Sequence, residues 1–351
     1  TQTKVEAKFV RCNSLGLQGT TLAVAHQTAK QGQPYAGLDV WDVSDYRHPK
    51  MISRLDVTGK YSRGSHYVTF TDPHWAYVTM SAPGFVPRYN SGSMADDQIF
   101  MIVDMSDPLH PKEAGRWWLP GTEASDKEPA PPRVSTFNNG LRPHTPTVFP
   151  EMPNVAWVGY IDGGWVILDI SDKAHPKLIT HMSFISMDHG FAHTLLPIFD
   201  KHIMIQTEEA VADNCKDWPK RNWIWDIHDL KHPYPLAIFP TPPNKDELCK
   251  MGGRFGSHNI NQNRPNSPWE RKLDNTVVGA YFNAGVRIVS IRNPANPVEI
   301  AYLIPAPPPA NATHAIEIND VLVDDRGVIY ANDRLEGGLY VLKYTGKEPL
   351  N

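Results

Sequence analysis

The sequence predicts an all-β fold, a single closed β-propeller of four-stranded blades over 1–351, with six blades preferred and seven the alternative. Three observations predict it. An apolar strand ending in Asp-x-Ser-Asp or a relative of it recurs along the chain, with its first aspartate at 42, 104, 169 and 226, spacings of 62, 65 and 57 residues. Ahead of that strand lies a second apolar run and a glycine- or asparagine-rich turn, as in Val155–Ile161, Asp162-Gly-Gly and Trp165. Such turns supply the positive φ angles of tight hairpins. A further apolar run opens each repeat, and at five of these openings stands a histidine. Four antiparallel strands repeated radially make a propeller blade, whereas a solenoid needs shorter repeats.

The elements follow in order. The Asp-Ser strands are Leu38–Asp45, Ile99–Asp107, Trp165–Asp172, Trp223–Asp229 and Val286–Asn293, with Leu339–Tyr344 as a truncated sixth copy. Each of the first five leads to a proline and then to an outer strand such as Lys177–Phe184. The blades are expected over 12–60, 64–120, 142–185, 191–240, 256–305 and 313–345. The last lacks an outer strand, and residues 5–11 are the right length to supply it, so that no edge is left open. In the first blade Asn13 or Ser14 fills the slot that histidine takes elsewhere.

Ile102-Val-Asp-Met-Ser-Asp and Ile167-Leu-Asp-Ile-Ser-Asp resemble the LVIVD repeat of bacterial and archaeal β-propeller proteins. The resemblance extends over most of the chain. It implies the fold and little about activity.

Composition bounds the function. With 41% hydrophobic and 21% charged residues the chain is an ordinary globular one. A net charge of −4 disfavours nucleic acid and anionic membranes as partners. No run of 18 apolar residues exists, so no membrane insertion is expected. A soluble protein, periplasmic, secreted or cytoplasmic, is the reading, with a small molecule as its partner. The cysteines Cys12, Cys215 and Cys249 lack Cys-x-x-Cys spacing. Free buried thiols are expected, with one disulfide between Cys215 and Cys249 the alternative.

The recurring histidines carry the functional reading. They are His66, His144, His193, His258 and His314, each at the head of an inner strand. Equivalent positions on propeller blades converge on the axis, and imidazoles gathered there make a transition-metal site. His144, His193, His258 and His314 are the expected ligands. His66 is a fifth ligand or a proton shuttle, and His189 is an acid/base candidate on the loop above. Arg142 would bind an anionic substrate group. Glu208, Glu209 and Glu317 are candidates to receive the ligands' second N–H. The competing reading is a structural cluster, because His48, His110, His175 and His232 recur before the rim prolines without any site chemistry.

Iron or copper is preferred for an all-nitrogen site, with zinc or manganese the alternatives. The arrangement is similar in concept to the iron site of carotenoid cleavage oxygenases. It also resembles the copper sites of the methanethiol oxidase (selenium-binding) and thiocyanate dehydrogenase propellers. That likeness implies an oxidoreductase or oxygenase acting on a small organic substrate. A metal-dependent lyase or hydrolase is the alternative, as is a non-catalytic propeller that binds a protein or polysaccharide. The long insertions Ser81–Gln98, Pro120–Leu141 and Thr241–Gly256 would shape the site's mouth.

Overall fold

The structure is a computed structural model that describes residues 10–91, 95–133, 139–183, 190–264, 267–306, 315–335 and 337–351. It is all-β, of the six-bladed propeller class, and its chain divides into two compact units, Thr1–Ile185 and Ser186–Asn351.

The first unit holds three four-stranded antiparallel sheets. Blade one is β1 (Val10–Gln18), β2 (Thr21–Thr28), β3 (Gly37–Asp42) and β4 (Lys50–Asp56). Blade two is β5 (Ser65–Asp72), β6 (Trp75–Met80), β7 (Ile99–Asp104) and β8 (Lys112–Trp117). Blade three is β9 (Pro146–Val148), β10 (Val155–Gly159), β11 (Trp165–Asp169) and β12 (Lys177–Met182). The closing strand expected over 5–11 lies mostly outside the described residues, and its last two, Val10 and Arg11, pair with Thr28 and Gln27 of β2.

The second unit holds the other three. Blade four is β13 (Ala192–Ile198), β14 (Ile203–Glu208), β15 (Trp223–Asp226) and β16 (Tyr234–Ile238). Blade five is β17 (Thr276–Ala280), β18 (Val286–Ser290) and β19 (Val298–Leu303). Its inner segment runs through His258, whose amide donates to Ala280 O at 3.1 Å, while Ala280 N donates to Asn259 O and Asn261 N to Val278 O. Blade six is β20 (Ile318–Val323), β21 (Val328–Asp333) and β22 (Gly338–Lys343). Among the described residues there is one α-helix, α1 (Lys245–Lys250), in the insertion before blade five.

Period-two alternation explains why the middle strands read as unbroken apolar runs. On β6 and β7, Ala76, Val78, Met80, Ile99, Met101 and Val103 pack toward blade one. Tyr77, Phe100 and Ile102, one step out of phase, pack toward blade three against Val158, Val166 and Leu168. Both faces are dry, so the buried positions are apolar except Thr79, whose hydroxyl donates to His144 O at 2.9 Å. Each fully buried Ile or Val there stabilises the fold by about 1.5–3 kcal/mol.

The Asp-Ser motif is a self-contained joint. In blades one to five the pairing of third and fourth strands slips by one residue at the same place, between Val40/Trp41, Ile102/Val103, Ile167/Leu168, Ile224/Trp225 and Ile288/Val289. The bulge bends the strand outward. The aspartate that follows closes an Asx turn: Asp42, Asp104 and Asp169 accept the amides of Ser44, Ser106 and Ser171 at 2.8–3.0 Å. The next aspartate meets a histidine three residues on. Asp45–His48, Asp107–His110, Asp172–His175 and Asp229–His232 lie 2.7–2.9 Å apart, and all four histidines are exposed.

Cys215 and Cys249 are joined in a disulfide with Cα atoms 5.4 Å apart, correcting the expectation of free buried thiols. The α1 turn brings Cys249 back to Cys215, a return that sequence spacing does not encode. Closing a loop of 34 residues restricts the unfolded chain by about 3–4 kcal/mol. Cys12 is a free, exposed thiol. Among the described residues, no helix is long and apolar enough to cross a membrane.

Candidate functional site

Each unit presents one pair of repeat histidines. His314 and His189 lie outside the described residues.

In the first unit His66 is the second residue of β5, and His144 stands two residues before β9 with its amide donating to Gly159 O at 2.7 Å. His66 Nδ1 lies 2.8 Å from Gln27 Oε1. The same Nδ1 also lies 3.1 Å from the Asn13 side-chain nitrogen, so it stands between an amide acceptor and an amide donor. His66 Nε2 and His144 Nε2 lie 2.7 Å apart, close enough for one proton to be shared between the two rings. His144 Nδ1 faces the Thr145 hydroxyl at 3.0 Å. Arg11 Nη2 holds Gln27 Oε1 from behind at 2.7 Å. Asn13, in the first blade's histidine slot, donates to His66 O at 3.0 Å. The result is a hydrogen-bonded relay through two imidazoles.

Arg142 is buried in the same unit. Its nearest acid, Asp97, is 3.9 Å away and already held by Arg63 Nε and Nη2 at 2.5 and 2.7 Å. Its own Nε and Nη1 have no acceptor among the described residues. Burial first, and the Arg63 charge second, bring its pKa down to about 10, so it stays cationic at neutral pH. A buried cation with unmade hydrogen bonds suits an incoming anionic group.

In the second unit His193, second in β13, and His258 approach edge to face with ring centroids 4.6 Å apart. Both are buried. Ser257 fixes the approach to His258, since its Oγ donates to Glu208 O and accepts from Glu208 N. The fully buried Lys220 donates from Nζ to Gly190 O and so pins the chain that leads into β13. His193 Nδ1 faces the Thr194 hydroxyl at 2.7 Å.

His258 Nδ1 donates to the Asn319 carbonyl, which fixes the proton there and leaves Nε2 bare. Burial is the largest influence on this imidazole and pushes its pKa below the ordinary value, despite the pull of Glu209, so the ring is neutral. Its bare Nε2 faces Glu209 Oε1 at 3.6 Å. A ring nitrogen of His193 lies within 4.8 Å of a Glu209 carboxylate oxygen. A lone pair and a carboxylate thus confront each other in a buried place, an arrangement a cation relieves.

The three candidate glutamates separate. Glu209 joins the histidines. Glu208 turns toward the third strand, accepting from Trp223 Nε1 at 2.9 Å and Arg221 N at 3.0 Å. Glu317 accepts from Arg254 N at 2.9 Å and is pushed above its ordinary pKa by burial. Sequence reasoning passed over Arg254, Arg334 and Phe282, which surround this cluster. Arg254 sits in the glycine-rich turn 252–256, which promises nothing without a following helix. Phe282 was hidden in a hairpin turn.

Two segments, 94–117 and 154–183, match the LVIVD repeat. Among curated proteins none matches. The chain is similar to several solved structures. The β-propeller domain of Cps50 (Swd1) from Myceliophteria thermophila aligns at 12% identity and TM-score 0.56, over 95% of this chain and 84% of that one. A protein from Lactobacillus plantarum aligns at 12% identity and TM-score 0.57, over 94% and 83%. U3-55K aligns at 11% identity and TM-score 0.52, over 95% and 77%. These likenesses show the fold, and none of these proteins is named for a metal or a reaction.

Proposed function

We propose that the protein is a metal-dependent enzyme, an iron or copper oxidoreductase acting on a small organic substrate. The observation that supports it most is the bare Nε2 of His258 facing Glu209 at 3.6 Å beside His193. Two imidazoles and one carboxylate are the donor set of non-haem iron oxygenases, which keep open positions for substrate and oxidant. Such an ion would supply redox or Lewis-acid chemistry. Zinc and manganese remain the alternative ions.

The chain's own residues have separate tasks. Asn319 O fixes the His258 tautomer so that Nε2 presents its lone pair. Glu209 contributes charge. His144 and His314 join the proposed ligand set through repeat position alone, since each fills in its blade the slot that His193 fills in the fourth. His66, bonded to His144, is proposed to move protons, with His189 as a second acid/base group. Arg142 is proposed to hold an anionic part of the substrate. Glu208 and Glu317 are proposed to orient the segments that carry the ligands.

Glu209 also favours a second reading, a lyase or hydrolase, because it offers the carboxylate base such chemistry needs. Elemental analysis of untagged protein separates the two. About one iron or copper per chain supports the oxidoreductase. Zinc or manganese favours the second reading. No metal after reconstitution with each ion sinks both and leaves a propeller that binds a protein or polysaccharide.

A further inference from the structure

Arg254 and Arg334 stand together in the second unit. Both guanidinium groups lie against one ring, Phe282, at 5.5 and 5.8 Å from its centroid. His258 packs on the same ring at 4.8 Å with 31° between the planes. Phe282 reaches this place because the β17–β18 hairpin holds it at a φ of +41°, a conformation rare for an aromatic residue. One strained side chain thus sets two cations beside the proposed metal cluster.

Each arginine is tied down by one end. Arg254 donates from Nη1 to Glu209 Oε1 at 3.0 Å and to Ala210 O at 3.2 Å. Arg334 donates its amide to Glu317 O at 3.0 Å, and its Nε is 3.7 Å from Glu317 Oε2. Nε and Nη2 of Arg254 and both Nη groups of Arg334 have no acceptor among the described residues. The side chains are 23% and 30% exposed, so these donors open to solvent. Burial, then the Arg254 charge, lowers the Arg334 pKa, as expected of two like charges held close.

We propose that Arg254 and Arg334 form a carboxylate seat beside His193, His258 and Glu209, so that the substrate is a small carboxylic acid. The inference rests on the reading of this site as a metal centre, which it deepens by naming the substrate class. Planar guanidinium edges match a carboxylate two bonds at a time. Charge selects the same class. Glu209 and Glu317 balance the two arginines, and a divalent ion would leave an excess of two positive charges that a substrate anion reduces. The two glutamates repel a phosphate dianion more than a monoanion.

The test uses the full chain, metal-free and loaded with iron(II) or cobalt(II). Acetate binding is read by saturation-transfer NMR, with inorganic phosphate and sulfate as competitors. The variants are Arg334→Gln and Arg334→Lys, because Arg334 makes fewer contacts than Arg254 and its replacement leaves the fold intact. Acetate binding should weaken about tenfold or more in Arg334→Gln, the worth of one charge-assisted hydrogen bond. Arg334→Lys should recover part of it, with metal content and melting unchanged. Equal acetate affinity in Arg334→Gln and the parent overturns the seat, as does no acetate binding by either form. Phosphate that displaces acetate at lower concentration than acetate itself overturns the carboxylate assignment. A chain that takes up no metal yet loses acetate in Arg334→Gln upholds the seat and sinks the metal reading. A metal-loaded chain indifferent to Arg334 does the reverse.

Discussion

The two histidine pairs occupy the same repeat positions and are wired differently. His66 and His144 satisfy each other through a direct 2.7 Å contact, backed by Gln27 and Thr145. His193 and His258 pack edge to face, and His258 aims its bare nitrogen at a carboxylate. The backbone cannot be the cause. His144 N donates to Gly159 O and His258 N to Ala280 O, the last residues of equivalent strands. The neighbours make the difference. Gln27 and Asn13 both reach Nδ1 of His66, whereas the main-chain oxygen of Asn319 accepts from Nδ1 of His258. What faces the other ring nitrogen is another imidazole in one case and Glu209 in the other. A shared fold position fixes where a histidine stands, while its partners decide what it can bind.

The sharpest way to break this comparison is to remove one member of each pair. His258→Ala should cut metal content to roughly a tenth or less of the parent, read by elemental analysis on folded protein. His66→Ala should leave metal content near the parent value and cost about 1–2 kcal/mol in denaturant unfolding, the price of one broken buried hydrogen bond. Equal metal loss in both variants would erase the distinction drawn here.

The hairpins behind the two pairs test whether their backbones are truly equivalent. Ile161 and Phe282 share positive φ values of 44° and 41°, and Gly164 and Gly285 follow at 83° and 79°. A Cβ on Gly164 would meet Met182 O at 1.8 Å, and one on Gly285 would meet Leu303 O at 2.0 Å. Gly164→Ala and Gly285→Ala should each destabilise by about 2–4 kcal/mol, and by similar amounts. Thermal melting of both variants measures this. A large inequality would show that one blade tolerates a rearrangement the other does not.

A smaller effect distinguishes the second unit by pH. Burial raises Asp320 from an ordinary 3.8 to about 6, with Arg264 opposing. A carboxyl whose folded pKa is raised binds its proton more tightly when folded. Its stabilisation is complete below about pH 4 and is lost as pH rises through about 6. Asp320→Asn should therefore match the parent near pH 4 and exceed it by about 1–2 kcal/mol at pH 7–8, the group being only partly buried. Urea unfolding across that range checks the sign.

Much of the fold was legible because each repeat states its rules locally. Asp-x-Ser-Asp with a proline beyond it specifies a bulge, an Asx turn and an Asp–His contact within a few residues. The hairpin glycines are equally local. Asn13, read with Ser14 as a candidate for the first blade's histidine slot, contacts His66. The rim histidines are exposed and paired, as their place in the motif suggested. What the sequence hid depends on distance along the chain. Arg254 reaches Glu209 across 45 residues and Glu317 across 63, and no periodicity announces such contacts. The disulfide, legible only as an alternative to free thiols, depends on a return of the same kind, across 34 residues. Glu208, the last residue of β14, turns to Trp223 Nε1 and Arg221 N, while Glu209 just past the strand end faces His258.

In blades one to three the outer turn completes its hydrogen bonds with its own aspartates, serine amide and histidine. A part whose edges are settled internally places few demands on what lies at its other end. The inner strand can then carry asparagine and serine in the first blade and histidine in the next two without disturbing the outer turn. Whatever the inner positions bind, they are exchangeable inserts on cassettes whose outer ends stay the same.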